Sequence, residues 1–332
     1  MNNLRSKLTH SLLWIAMTVI PILSMTQCGM IYEEIEPCRS GAEMRFVYDY
    51  NLESANAFPS QVDCLALHIY DSDGRLVKTI VPQRDLLSDE NWRLRIDLDP
   101  GSYHAVAYGG ISCPDASFIH FPEPSTGSRF QEISMRMIES HIGTRLHDHF
   151  HGAVDFTIND DTPEFKTVTM KMTKTTNHFR ILLRQLNGEP LLGEDFEFYI
   201  TDDNKELDHA NIPVKSGHQI KYPSWTKGEV EDVAFGELST SRLHLSTDPH
   251  LIVVSKKSDT RSGDSPGKTI IDIPLNTFLL MSKSEAYKWG DQEYLDRCSV
   301  WNMTFFLDAD REWHKTEIII NNWTIRIRDI EQ

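Results

Sequence analysis

The sequence predicts an all-β protein built as two tandem antiparallel β-sandwiches. Three observations carry that reading: apolar residues recur at every second position in many short runs, turn-forming residues separate the runs, and helical spacing is scarce. The runs outnumber the strands of one ordinary sandwich, so two are expected.

Ahead of the first strand, Arg5 and Lys7 lead into residues 12–23 (LLWIAMTVIPIL), which carry no charge. A basic start followed by a short apolar run is the pattern of a bacterial export signal. As a helix the run would span about 18 Å, well short of the roughly 30 Å of a hydrocarbon core, so a membrane-spanning helix is not expected. The run stops shortly before Cys28 and no A-x-A-like cleavage site appears. Residues 1–27 therefore read as a lipoprotein signal peptide and Cys28 as the acylated first residue of the mature chain, although Gln27 stands where such signals usually have a small residue. The plainer alternative is a secreted chain in which Cys28 is an ordinary thiol.

Met44, Phe46, Tyr48 and Tyr50 are in phase and mark a half-buried strand. Leu65, Leu67 and Ile69 lead to the turn Asp71-Ser72-Asp73-Gly74, after which the chain returns to Ile80. Residues 92–98 (WRLRIDL), the turn Asp99-Pro100-Gly101-Ser102 and residues 103–108 read as an antiparallel hairpin. Further strands are carried by Val154, Phe156 and Ile158; by Val168, Met170 and Met172; by Phe179, Ile181 and Leu183; and by Phe196, Phe198 and Ile200. Near the end, Trp301, Met303, Phe305 and Leu307 face a turn at Asp308, followed by residues 317–320 and by Trp323, Ile325 and Ile327. Residues 291–297 (DQEYLDR) are the best short helix. The polar stretch 159–163, with Pro163, sets the boundary, giving sandwiches over residues 28–160 and 161–332. Residues 256–268 read as a solvated loop within the second.

The formal charge of −16 argues against nucleic acid as a partner, since no basic stripe could displace counterions from phosphates. Export permits disulfides, and beyond Cys28 the cysteines are Cys38, Cys64, Cys113 and Cys298. Four cysteines allow three connectivities, and buried free thiols are a further option. No C-x-x-C pair supports zinc or redox chemistry. His147, His149 and His151 could share a strand face at roughly 7 Å spacing and hold a metal with His120 or His141, but a polar strand face is the simpler reading, and no metal or cofactor is expected. Trp92, Trp301 and Trp323 fall in phase with core residues, whereas Trp225 and Trp289 sit in turns and could form sugar platforms. The acid pairs Asp202-Asp203 and Glu194-Asp195 lie at strand ends, where acids cap amides. No hydrolase, P-loop or dinucleotide motif occurs, so no enzyme is expected.

An ordered series of segments resembles the FimB-type fimbrial anchor subunits (minor fimbrium anchor lipoproteins) of Bacteroidetes. The series comprises residues 28–38 (CGMIYEEIEPC), 45–51 (RFVYDYN), 67–76 (LHIYDSDGRL), 98–109 (LDPGSYHAVAYG), 148–152 (DHFHG) and 167–179 (TVTMKMTKTTNHF). It continues with 200–207 (ITDDNKEL), 240–243 (TSRL), Ile273-Pro274-Leu275, 292–297 (QEYLDR) and 322–326 (NWTIR). The resemblance implies two tandem transthyretin-like sandwiches and a non-catalytic role. It implies lipid on Cys28 in the cell outer membrane, surface exposure with the fimbrium, and a folded part that holds the lowest pilin of the shaft and limits fibre length. Pilins of such fibres join by strand addition. The last strand, around Trp323, is expected to complete its own sandwich, so that deleting residues 321–332 would unfold it. The alternative from a different class is a surface glycan-binding lipoprotein using Trp225 or Trp289.

Overall fold

The computed structural model describes residues 40–159, 164–256 and 267–326. Cys28, Cys38, the signal peptide, most of the 159–163 boundary, most of the 256–268 loop and Ile327 lie outside them.

Most of the regular structure among the described residues is strand. In the first half these are β1 (Gly41–Val47), β2 (Leu65–Tyr70), β3 (Leu76–Ile80), β4 (Leu94–Asp97), β5 (Gly101–Gly109), β6 (Phe118–Phe121), β7 (Ser134–Met137), β8 (Phe150–Ile158), β9 (Phe165–Lys171) and β10 (Thr173–Lys174). A three-stranded sheet, β4-β1-β9, faces a five-stranded one, β10-β8-β5-β2-β3. Met44, Phe46, Val168 and Met170 from the first sheet and Leu65, Leu67, Ile69, Ala107 and Phe156 from the second form their common core. The turn at Asp71 forms as its composition dictates: the Asp71 carboxylate accepts from the amides of Asp73 and Arg75, and Gly74 takes φ +75°.

The second half contributes β11 (Asn177–Gln185), β12 (Phe196–Asp202), β13 (Glu206–Leu207), β14 (Ile220–Pro223), β15 (Thr226–Val230), β16 (Val233–Thr240), β17 (His250–Ser255), β18 (Lys268–Pro274), β19 (Val300–Leu307), β20 (Trp313–Ile320) and β21 (Trp323–Arg326). A six-stranded sheet, β15-β16-β11-β19-β20-β21, packs on a four-stranded one, β14-β12-β17-β18. The sheets approach closely at Gly236, where a Cβ would lie 2.5 Å from the Phe198 ring, so a side chain there would force the layers apart. Trp301, Met303, Phe305 and Leu307 are all buried, as their alternation predicts.

Four expectations are corrected. Residues 92–98 and 103–108 are not a hairpin: β4 pairs with β1, whereas β5 pairs with β2 and β8 in the facing sheet. The turn at Pro100 carries the chain from one layer to the other, an exit that alternation alone cannot distinguish from a hairpin. The sheets are not purely antiparallel, because β1 with β9 and β11 with β19 run parallel. Each half thus repeats one arrangement, an opening strand flanked antiparallel on one side and parallel on the other. The change from one set of sheets to the next falls at Thr175 and Thr176 rather than at 160, since β9 and β10 complete the first set. Trp323 is 55% exposed rather than core, because β21 lies at the sheet edge with its side chains largely in solvent.

The described residues from Ser40 onward form one compact unit. A third small sheet, β13-β7-β6, pairs a second-half strand with first-half strands through Leu207 and Met135. One apolar core accordingly runs from Tyr70, Tyr108 and Met137 through Leu207 to Trp301. Two helices complete the second half. In α1 (Leu275–Met281), which the sequence reading missed, Leu275, Phe278 and Leu279 are buried at helical spacing. The expected one, α2 (Asp291–Arg297), has Asp291 and Glu293 in its first turn and Arg297 in its last, each sign complementing the helix dipole.

Candidate functional site

Features that could carry function collect where the two halves meet. At this junction Asp148, just ahead of β8, receives His178 Nε2 and Lys174 Nζ, each at 2.7 Å, and the Thr176 hydroxyl at 3.1 Å. Burial opposes the negative charge, yet the bond from His178 and the Lys174 ammonium hold its carboxyl well below the usual carboxylate range. From the other side, the Arg297 guanidinium donates to the carbonyls of Asp49 and Asn51 while lying over the rings of Tyr50 and Trp289. Near β13, Arg242 and Asp296 form a buried pair with bonds of 2.7 and 2.8 Å. The bonds of Asp148 to His178 and of Arg297 to Asp49 and Asn51, the β13–β7 ladder and the shared core fix the halves to each other.

Beside Asp148 lies a polar cavity of about 670 Å³, lined by Asp63, Asp115, Arg145, His147 and His178 among others. It shares Arg145 and His178 with a second cavity of about 270 Å³ that runs to Trp225, Glu237 and Asn302. A third, of about 430 Å³, meets the first at Ser60 and Gln61 and the second at Val300. The residues they share set the three side by side, a trough along the junction.

Of the cysteines expected to pair, Cys64 and Cys113 are joined in a disulfide at the rim of this region. Cys298 is a buried free thiol, and burial pushes its pKa up to about 12. Side-chain atoms of Asp63, Cys64, Cys113 and His147 lie within 4.8 Å of one another, but the sulfurs are consumed by the disulfide and supply no thiolate for a metal.

The three spaced histidines do not line one face. Only His151 lies within β8, because the strand begins at Phe150. His147 turns outward and is held by Asp63 at 3.1 Å and Asp115 at 3.2 Å. His149 turns into the core, where its Nδ1 meets the Thr175 hydroxyl at 2.6 Å. A different histidine pair meets instead. His68 and His120 bring their Nε2 atoms to 3.1 Å, packed edgewise with Tyr108, which also borders His151. His141 is bonded to Ser117. Burial pushes His68 and His151 down to about 4 and His120 to about 3, so all three are neutral at neutral pH. This pair arises from β2 and β6, strands distant in sequence, and no local spacing signals it.

The two turn tryptophans part ways. Trp289 stacks on Tyr287 at 4.2 Å on one face and carries Arg297 at 4.6 Å, so both faces are occupied. Trp225 is half-buried and lines the trough. Asp203 receives the amides of Ser216 and Gly217, the capping role expected of such acids. Asp195 bonds Arg311 at 3.0 Å. Asp202 is buried, which pushes its carboxyl up to about 7.

Over residues 35–329 the chain matches the family model described as fimbrillin-A associated anchor proteins Mfa1 and Mfa2. No curated protein matches it. Among solved structures it is similar to a candidate adhesin from Bacteroides thetaiotaomicron, at 39% identity and TM-score 0.80, covering 88% of this chain and 99% of that one. It is also similar to a candidate polysaccharide-binding protein from the same organism, at 25% identity and TM-score 0.77, covering 89% and 100%. The fimbrial anchor protein Mfa2 from Porphyromonas gingivalis shares the fold at 16% identity and TM-score 0.68, over 87% of this chain and 99% of that one.

Proposed function

The chain belongs to the family of fimbrillin-A associated anchor proteins Mfa1 and Mfa2, and from that premise we propose that it fixes the base of a fimbria to the outer membrane through lipid on Cys28. Residues 1–27 are the lipoprotein signal in this reading. Among the described residues no helix is long and apolar enough to cross a membrane. Attachment then rests on acyl chains, each buried CH₂ contributing about 0.8 kcal/mol, with more than one chain needed for stable anchoring.

The observation that carries the reading, beyond family, is the bonded and packed junction. A base subunit is pulled between its lipid and its fibre, and the load must cross from one set of sheets to the other. The shared core, the β13–β7 ladder and the pins at Asp148 and Arg297 support such a path. The lowest shaft pilin is the partner, joined by strand addition, in which an edge strand supplies backbone hydrogen bonds and alternate side chains set the register. The pairing of β21 with β20 in the same chain supports a subunit that completes its own sheet and so terminates the fibre, limiting its length.

The test is Cys28→Ala in the full chain. The expected result is loss of palmitate labelling and release of the protein, with its fibres, into the medium. Retention of the variant in the outer-membrane fraction, or fibres still held on the cells, would overturn the reading.

A further inference from the structure

We propose that the trough along the junction binds a carboxylate-bearing oligosaccharide, with a sugar ring on Trp225 and its carboxylate on Arg145. The proposal stands apart from anchoring and rests on how the side chains of the trough are committed.

Four of the tryptophans have their rings engaged. Trp92 stacks on Phe46, Trp289 lies between Tyr287 and Arg297, Trp301 is fully buried against Tyr294, and Trp313 packs on Phe278 and Phe305. Trp225 has no ring or cation contact among the described residues, although it is half-buried and walls a cavity. An aromatic ring without a stacking partner in a concave site suits the apolar C–H face of a sugar. The chain holds Trp225 in place by its backbone, whose amide donates to the Glu237 carbonyl at 2.9 Å.

The charges around it decide the class of sugar. Asp63 and Asp115, at the far end, are already paired with Arg84 and His147, and Asp148 with Lys174 and His178. Arg145 lines both cavities, is exposed, and makes no hydrogen bond or ion pair among the described residues. Arg180 is a second cation on the same wall, its guanidinium 5.2 Å from the centre of the Phe235 ring and 3.8 Å from Glu237, whose charge it balances, which leaves Arg145 unmatched. The unspent charge at the Trp225 end is therefore positive, on a planar fork that fits a carboxylate in two parallel bonds. The Asn302 side chain, exposed on the same wall, can serve ring hydroxyls. The cavity of about 670 Å³ lies within the roughly 300–1,000 Å³ of small-molecule sites, and its continuation toward Trp225 suits a chain of sugars rather than one.

The test is a printed array of sialylated, uronic-acid and neutral oligosaccharides, probed with the full chain in detergent. Binding is expected on the carboxylate-bearing glycans. Trp225→Ala and Arg145→Ala should each lower the signal about tenfold, Trp225→Phe should keep most of it, and Arg145→Lys should keep less, since an ammonium lacks the fork. Thermal melts of the variants report folding, and where an alanine variant melts early the Phe and Lys variants decide. Equal binding to neutral glycans, no binding to acidic ones, or a signal indifferent to both positions would overturn the proposal. Release of the Cys28→Ala protein from the membrane is unaffected by any of these outcomes.

Discussion

His178 Nε2 donates to Asp148 Oδ1 at 2.7 Å, tying the second residue of β11 to the loop that enters β8. The same carboxylate neutralises Lys174, whose side chain is only 5% exposed. Removing Asp148 leaves that ammonium buried and unpaired, a loss of about 3–5 kcal/mol. Asp148→Ala should therefore lower the melting temperature by roughly 10 °C in thermal circular dichroism at pH 7. The carboxyl is held below its unfolded value, so its contribution is present above about pH 4 and is lost as pH falls further. A variant melting with the wild type would show that the junction does not depend on this carboxylate.

The Cys64–Cys113 bridge closes a separation of 49 residues. In the chain-entropy account, a loop of that length stabilises by about 4 kcal/mol. Replacing both cysteines with serine should move the urea midpoint down accordingly, with a somewhat steeper slope because the unfolded chain is no longer cross-linked. Cys298 behaves differently. In a full chain carrying Cys28→Ser and Cys38→Ser, its thiol is buried and its pKa is near 12, so at pH 8 only about one part in 10⁴ is thiolate. Maleimide should label it only after denaturant is added, and rapid labelling of the folded protein would contradict the buried placement.

How much of this was legible in the sequence follows from which interactions are local. Alternation marked the buried residues of β19 and β11 correctly because one face of each meets a single core. The turn at Asp71 and helix α2 were legible because their determinants lie within a few residues. Pairing partners were not. Nothing near Pro100 says that β4 and β5 belong to facing sheets, and the parallel match of β11 to β19 joins residues more than a hundred apart. The site divides in the same way. Trp225 was visible as a turn aromatic, whereas Arg145, Asp148 and the His68–His120 pair gain meaning only from neighbours brought by the fold.

β21 bears on fibre termination and on stability at once. The core-facing residues of this hairpin, Ile318 and Ile320, lie on β20, while Trp323 is more than half exposed. Of the described residues, deleting 323–332 removes backbone pairing at a solvated edge and, Ile325 aside, little apolar burial. It should leave the second half folded, with a melting temperature lowered by only about 2–5 °C, contrary to the unfolding that its apolar pattern suggests. Exposing β20 as the new edge should also promote association, visible as a larger species in size-exclusion chromatography. Loss of the native near-ultraviolet spectrum on truncation would restore the opposite view, that β21 is integral to the fold.

The buried histidines predict a separate acid sensitivity. His68 and His120 have folded pKa values near 4 and 3 against an ordinary value of 6.5, with burial as the main cause. Well above pH 6.5 neither state binds the proton and the pair is without effect. As pH falls toward 4, the unfolded chain takes up protons that the folded chain refuses, and stability declines. At pH 5 each histidine lowers stability by about 2 kcal/mol relative to pH 7. This window lies above the one in which Asp148 is protonated, so the two effects separate on the pH axis. The variant His68→Leu with His120→Phe keeps the volume apolar and removes both sites, and should recover about 3–4 kcal/mol of the loss between pH 7 and pH 5 in urea unfolding. His149 and His151, also depressed by burial, remain in that variant and should leave a residual slope. Identical slopes in variant and wild type would mean that the His68–His120 pair takes up its protons without unfolding.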